Sequence, residues 1–233
     1  MTHNIKKNPV KIQFPNPRLT KPSTEGLIAI GGDLEVDTLK EAYQLGIYPW
    51  PLDARHPLLW FCPDERGIVD FSNIHIPQQL KKVERKSGFH FTFNKAFKEV
   101  IDACAEQKRP NQEGTWILPE MIAAYIRFHE AGYAHSIECW NKENQLVGGL
   151  YGVFVDGLFS GESMFYREDN ASKMCFLKMA KALESFGCAW MDIQMITPVT
   201  EQLGGKYISR SAFLDRLDAL HAKGPSHKIN FPN

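Results

Sequence analysis

The sequence predicts an α+β fold with a central mixed sheet, and three observations carry that prediction. Three strand-like runs follow one another, "AHSIECW", "QLVGGLYGVFV" and "LFSGESMF"; residues 141–144 join the first two, and Asp156-Gly157, a tight-hairpin dipeptide, joins the last two. This is an antiparallel meander. A helical stretch, "NASKMCFLKMAKALESFG", with Asn170 as the expected N-cap and Gly187 as C-cap, then delivers the chain into another strand, "CAWMDIQM". Long helices mixed with antiparallel strands define the class, and no repeat or low-complexity tract interrupts the pattern.

The remaining elements follow from local punctuation. The first sixty or so residues are dense in proline and aromatic side chains. Within them "DLEVDTLKEAYQLG" reads as a short helix, with Asp33 or Asp37 as cap, Leu39, Ala42 and Tyr43 at helical spacing, and Gly46 as stop. The following "IYPWPLDARHPLLWFCP" carries three prolines between Tyr48 and Leu58, so a structured loop bearing Trp50, Trp60 and Phe61 is expected. A domain boundary is placed near Cys62 to Asp64, giving a small unit over 1–63 and a larger one over 64–233. Beyond it, "PQQLKKVERKSG" is a helix opened by Pro77 with Lys81, Lys82, Arg85 and Lys86 mainly on one side. "FHFTFN" alternates as a strand, while "KAFKEVIDACAEQ" and "LPEMIAAYIRFHEAG" are amphipathic helices, the second with Pro119 in its first turn.

Composition narrows the function classes. With 27 basic and 27 acidic residues the net charge is +0, so any nucleic-acid contact must come from a local patch such as the basic helix. Five cysteines, odd in number and without a C-x-x-C pair, argue against a disulfide framework or a zinc ribbon. The eight histidines show no paired metal spacing, and His129 and His135 are expected to cap or pack. A polar, proline-bearing N-terminus and the lack of a long uncharged apolar run predict a cytoplasmic protein without a membrane span. Neither a P-loop nor a dinucleotide fingerprint is present; the glycines of "VGGLYG" lie inside a strand pattern and open no helix, and "EQLGGK" matches no phosphate motif well.

Three stretches carry candidate chemistry. In "WMDIQM" strand alternation puts Asp192 and Gln194 on one face and Met191 and Ile193 on the other. A buried carboxylate without a partner costs several kcal/mol and an unbonded amide about 1–3 kcal/mol, so this polar face either lines a cleft or meets partners at a strand end. In "FSGESMF", Glu162 sits between Gly161 and Ser163, where glycine permits close approach or a turn. Trp50 in "IYPWP" and Trp116 in "EGTWIL" are indoles on irregular segments, suited to stacking on a base or to packing beneath a proline-rich lid.

Taken together, "GLIAIGGDL", "AYQLGIYPW", "EGTWIL", "HEAGYAHSIECW", "LVGGLYGV", "SGESMF", "NASK" and "MDIQM" resemble the leucyl/phenylalanyl-tRNA–protein transferase family of bacteria, in the family's order and spacing from Gly26 to about Gly205. The resemblance implies transfer of leucine, phenylalanine or possibly methionine from charged tRNA to the N-terminal arginine or lysine of a protein, generating an N-end rule degradation signal. It implies an N-acetyltransferase-like larger domain and no metal, nucleotide or acyl-CoA cofactor; a monomer is expected. By similarity, Asp192 polarises Gln194, whose carbonyl oxygen contacts the attacking amine, and Glu162 contacts the terminal adenosine or that amine. Trp50, Trp116, Tyr43 and Tyr125 match aromatic residues around the aminoacyl-adenosine. Leu150, Phe159, Met179 and Met191 would form the apolar pocket for the transferred side chain, methionine being flexible enough for a branched or a flat group. Lys81, Lys82, Arg85 and Lys86 would meet acceptor-stem phosphates. Thr197 and Val199 stand where some members carry asparagine and histidine, and "KRPNQ" reads as an insertion. The competing readings are an acyl-CoA-dependent N-acetyltransferase, which needs a glycine-bearing strand-to-helix turn, and a tRNA-binding module without catalysis.

Overall fold

The computed structural model describes residues 12–21, 26–53, 55–108, 115–224 and 229–231. The insertion at 109–112, Gly114 of the tryptophan segment and most of the N-terminal stretch therefore lie outside the described residues. In chain order the elements are β1 (Leu27–Ile30), α1 (Val36–Gln44), β2 (Tyr48–Pro49), β3 (Leu59–Phe61), β4 (Glu65–Asp70), α2 (Gln78–Lys86), β5 (His90–Phe93), α3 (Phe97–Glu106), α4 (Pro119–Glu130), β6 (Ala134–Trp140), β7 (Leu146–Val155), β8 (Leu158–Tyr166), α5 (Ala171–Ser185), β9 (Trp190–Gln194), α6 (Pro198–Gln202), β10 (Lys206–Ser209) and α7 (Arg210–His221).

Two sheets result. The smaller is antiparallel with order β1-β3-β2, and the larger has seven strands in order β10-β4-β9-β8-β7-β6-β5. All pairings in the larger sheet are antiparallel except β8 with β9, which makes it mixed. The 63/64 division falls between β3 and β4, the last strand of one sheet and the first of the other. The expected loop around Trp60 and Phe61 is instead β3: the prolines at 49, 51 and 57 end before Leu59, leaving three residues free to pair on both sides.

The sheet is covered on both faces. One face packs with Leu39 of α1, Val100 of α3, Tyr125 of α4 and Phe213 of α7, while the other packs with Leu80 of α2 and Cys175 and Met179 of α5. The meander closes as expected, since Asp156 and Gly157 both take positive φ, 46° and 90°, the geometry of a type I′ turn that matches strand twist. Asn170 precedes α5 in a left-handed conformation with φ 69°, and its side chain makes no capping hydrogen bond. The expected cap is thus a backbone turn that asparagine tolerates, not a side-chain cap. The parallel pair β8 and β9, joined by α5, shares a single bridge between Ser160 and Asp192. Beyond that bridge the two strands part.

Candidate active site

The polar cluster forms where those strands part, and two β-bulges aim its side chains. Tyr151 pairs with Ser163 and Gly152 with Gly161, which leaves Glu162 as the extra residue of β8. Gly67 pairs with Gln194 and Ile68 with Asp192, which leaves Ile193 extra on β9. Gln194 ends that strand at φ 59°, in the left-handed region. The alternation expected for "WMDIQM" is visible in the packing: Trp190 belongs to the cluster that contains Tyr125, whereas Met191 and Ile193 face α5.

Asp192 is fully buried and its four lone-pair sites meet four donors. Arg66 Nε at 2.8 Å and the Gln194 backbone N–H at 2.9 Å reach Oδ1, while Arg66 Nη2 at 2.7 Å and Ser160 Oγ at 3.0 Å reach Oδ2. Arg66 is equally buried, donates to the Gly46 carbonyl at 3.1 Å, and lies 4.6 Å from the Tyr48 ring centroid and 4.5 Å from that of Phe213. Burial alone would lower the guanidinium's pKa, but the Asp192 charge and its hydrogen bonds outweigh that and raise it.

Glu162 has a different environment. Its Oε1 accepts from Tyr43 Oη at 2.7 Å and Gln194 Nε2 at 2.8 Å, and its Oε2 has Tyr125 Oη at 3.5 Å. The two phenols are 2.5 Å apart. Burial pushes the Glu162 carboxyl up to about 7, the Tyr43 hydrogen bond pulls it down, and the Asp192 charge pushes it further up. Both tyrosines are raised well above their usual range, first by burial and then by the charge of Glu162. Tyr48 is pushed to about 12, by burial ahead of the lowering effect of Arg66.

The structure therefore brings together Asp192, Gln194, Glu162, Tyr43 and Tyr125 from α1, α4, β8 and β9. It also adds Arg66, Ser160 and Tyr48, which sequence reasoning missed. Ser160 stands two residues before Glu162, and the signal for Arg66 was a lone cation entering the apolar strand "RGIV". The expected coupling of Asp192 to the Gln194 side chain takes another form: Asp192 holds the Gln194 backbone, and the amide group donates to Glu162. Trp50 and Trp116 stack on each other with centroids 5.1 Å apart and planes 18° from parallel, so each spends one ring face on its partner. Leu150, Phe159, Met179 and Met191 gather in one buried apolar cluster with α5, on the sheet face away from Tyr43 and Tyr125. Phe159 and Met191 immediately precede the bridging residues Ser160 and Asp192. Lys81, Lys82, Arg85 and Lys86 are exposed on α2, whose Leu80 packs in that same cluster.

Other expectations resolve locally. Thr197 caps α6, its hydroxyl accepting from the Thr200 N–H at 3.2 Å. The "VGGLYG" glycines serve contact between elements: a Cβ on Gly148 would stand 2.6 Å from Ala171 Cβ, and one on Gly152 would stand 2.4 Å from the Ser160 carbonyl. They sit inside β7 and open no helix, unlike the turn an acyl-CoA site requires. His129 Nδ1 lies 2.7 Å from the Ala134 carbonyl and its ring stacks on Phe97, while burial lowers His135 to about 4. All five cysteines are free thiols. Among the described residues no group of three or more His, Cys, Asp or Glu is placed to hold a metal ion, and no helix is long and apolar enough to cross a membrane.

Comparison with known proteins then decides the family. The sequence profile described as Leucyl/phenylalanyl-tRNA protein transferase matches residues 68–218, and that of its N-terminal domain matches 32–64. The chain belongs to the leucyl/phenylalanyl-tRNA–protein transferase family. The Leucyl/phenylalanyl-tRNA–protein transferase of Maridesulfovibrio salexigens is 45% identical over 205 residues, spanning 88% of this chain and 84% of that protein. The one from Pseudoalteromonas translucida is 44% identical over 208 residues, spanning 89% and 86%. Among solved structures, L-PGS from Bacillus licheniformis aligns at 16% identity and TM-score 0.39 over 59% of this chain and 48% of that one, a likeness too weak to inform the transferase fold.

Proposed function

We propose that this chain takes leucine or phenylalanine from charged tRNA and joins it to the N-terminal arginine or lysine of a protein, marking that protein for N-end rule degradation. As a member of the transferase family it is an aminoacyltransferase that moves an amino acid from aminoacyl-tRNA to a protein N-terminus. The observation that carries the site assignment is the contact of Glu162 with Gln194 at the parting of β8 and β9. It places an acid and an amide side by side, with the Gln194 carbonyl oxygen left to accept from an incoming amine.

The remaining roles follow from position. Trp50 and Trp116 support stacking against the terminal adenosine, and Tyr43 and Tyr125 line the aminoacyl group. The cluster of Leu150, Phe159, Met179 and Met191 receives the transferred side chain on the opposite sheet face from the tyrosines, reached beside the Ser160–Asp192 bridge that Phe159 and Met191 precede, with Met164 across from Leu150 at its edge. The exposed cations of α2 meet acceptor-stem phosphates. Holding an amine against an ester supplies about 7–11 kcal/mol of the barrier through effective molarity alone, so positioning is the main service of this site. The chain works as two units, 1–63 and 64–233, the larger N-acetyltransferase-like, as a cytoplasmic monomer. The test is the mass of an arginine-initiated peptide after incubation with the protein and a mixture of all charged tRNAs. Addition of a leucyl or phenylalanyl residue supports the proposal; an unmodified peptide beside intact charged tRNA and folded protein refutes it.

A further inference from the structure

We propose that Glu162, and not Asp192, takes the proton from the attacking amine, while Asp192 and Arg66 hold the Gln194 backbone in place. The inference rests on the aminoacyl-transfer reading of this site. A carboxylate offers about four lone-pair positions, and Asp192 has all four filled by Arg66, Ser160 and the Gln194 backbone. Protonating it would expel a donor and leave Arg66, itself 1% exposed, as an uncompensated buried cation. Asp192 is therefore a positioning residue.

Glu162 has the capacity that Asp192 lacks. Oε1 is occupied by Tyr43 and Gln194, but among the described residues Oε2 meets the Tyr125 hydroxyl alone, at the limit of hydrogen bonding. Glu162 is the extra residue of the β8 bulge, and the bulge sets this half-buried carboxylate against the Gln194 amide. The titratable and charged groups around it are Tyr43 of α1, Tyr48 of β2, Arg66 of β4, Tyr125 of α4 and Asp192 of β9, with Tyr151 of β7 against the Tyr125 ring. Burial raises its carboxyl to about 7, close to the ordinary value of about 8 for an α-amine, the match that proton transfer between them needs.

The step balances without any co-reactant. The amine nitrogen attacks the ester carbonyl carbon, a C–N bond forms, and the proton leaving nitrogen goes to Oε2 of Glu162. The C–O bond to the ribose then breaks, and the departing ribose oxygen takes that proton back, restoring the carboxylate.

The experiment is single-turnover transfer to an arginine-initiated peptide between pH 5.5 and 9, with charged-tRNA affinity measured in parallel. Wild type is expected to show a rate that rises through an inflection near 7. Glu162→Gln should lose about 10²- to 10⁴-fold in rate, with tRNA affinity retained and the inflection replaced by one that follows the free amine. A variant that keeps its rate within threefold, or keeps the inflection near 7, overturns the proposal. Tyr43→Phe guards against a misfolded glutamine variant: it removes a donor to Oε1, so the inflection should move to higher pH, and an unmoved inflection is a second refutation. Absence of transfer by folded wild type would instead overturn the transferase reading itself.

Discussion

Two carboxylates stand on the neighbouring strands β8 and β9, and they are held by opposite means. Asp192 has a guanidinium partner with two of its donors in reach, whereas the donors to Glu162 among the described residues are neutral, with the Asp192 charge raising its carboxyl and the Arg66 charge lowering it. One carboxylate is fully enclosed by hydrogen-bond donors; the other carries a charge that burial resists near neutral pH. The difference shows how surroundings set a carboxylate: burial raises Glu162 to about 7 although the Tyr43 hydrogen bond and the Arg66 charge both pull it down.

The largest expected effect breaks the Asp192 side of this comparison. Arg66→Ala leaves a buried carboxylate uncompensated and should cost about 3–5 kcal/mol in urea unfolding, while the double replacement Arg66→Met with Asp192→Leu should recover most of it. A double variant as weak as the single one would show that the pair is not the source of the loss.

Next comes the Glu162 side, which should behave in the reverse sense. Its carboxyl titrates near 7 in the folded protein and near 4.3 in the unfolded chain, so the native state binds the proton more tightly. That advantage is complete below about pH 4.3 and is lost as pH rises through 7. Glu162→Gln should therefore stabilise the protein by about 1–3 kcal/mol at pH 8, with the gain shrinking to nothing below pH 4.3, as read by urea midpoints across pH. Equal midpoints at pH 8 would place Glu162 in a more hydrated setting than the tyrosines suggest.

A smaller effect separates the hydrogen bonds from the charge. Tyr43→Phe removes one donor to Glu162 and the partner of Tyr125, and should cost about 1 kcal/mol. Smallest in stability is alanine replacement of Lys81, Lys82, Arg85 and Lys86, within about 0.5 kcal/mol because all four side chains are exposed. That variant should still weaken tRNA binding and flatten its salt dependence, by about 0.7–0.9 in slope for each phosphate left without its cation. An unaltered slope would remove α2 from the interface.

Much of the larger sheet was legible because its signals are local. The Asp156-Gly157 turn, the alternation at Trp190 to Gln194 and the periodicity of α3, α4 and α5 each lie within a few residues. What escaped was long-range. Neither β4 nor β10 stands out in the sequence, because strands of six and four residues acquire meaning only by pairing with each other and with β9. Arg66 escaped for the same reason: nothing beside it in sequence announces Asp192 as its partner. The family resemblance supplied Asp192, Gln194 and Glu162 as a group, but not the direction of their hydrogen bonds, which depends on two bulges and on the positive φ of Gln194. The Asn170 cap failed in chemistry though not in place, because asparagine favours both a side-chain cap and a left-handed turn.

The Arg66 guanidinium also sets a timetable. It touches Gly46, Tyr48, Asp192 and Phe213, and its partner aspartate stands 126 residues away along the chain. During synthesis a growing chain can complete the small sheet and the β6 to β8 meander, yet no length short of Phe213 can enclose this cation. The Arg66–Asp192 pair is accordingly a late product of translation, enclosed only when the last helix α7 arrives to cover it.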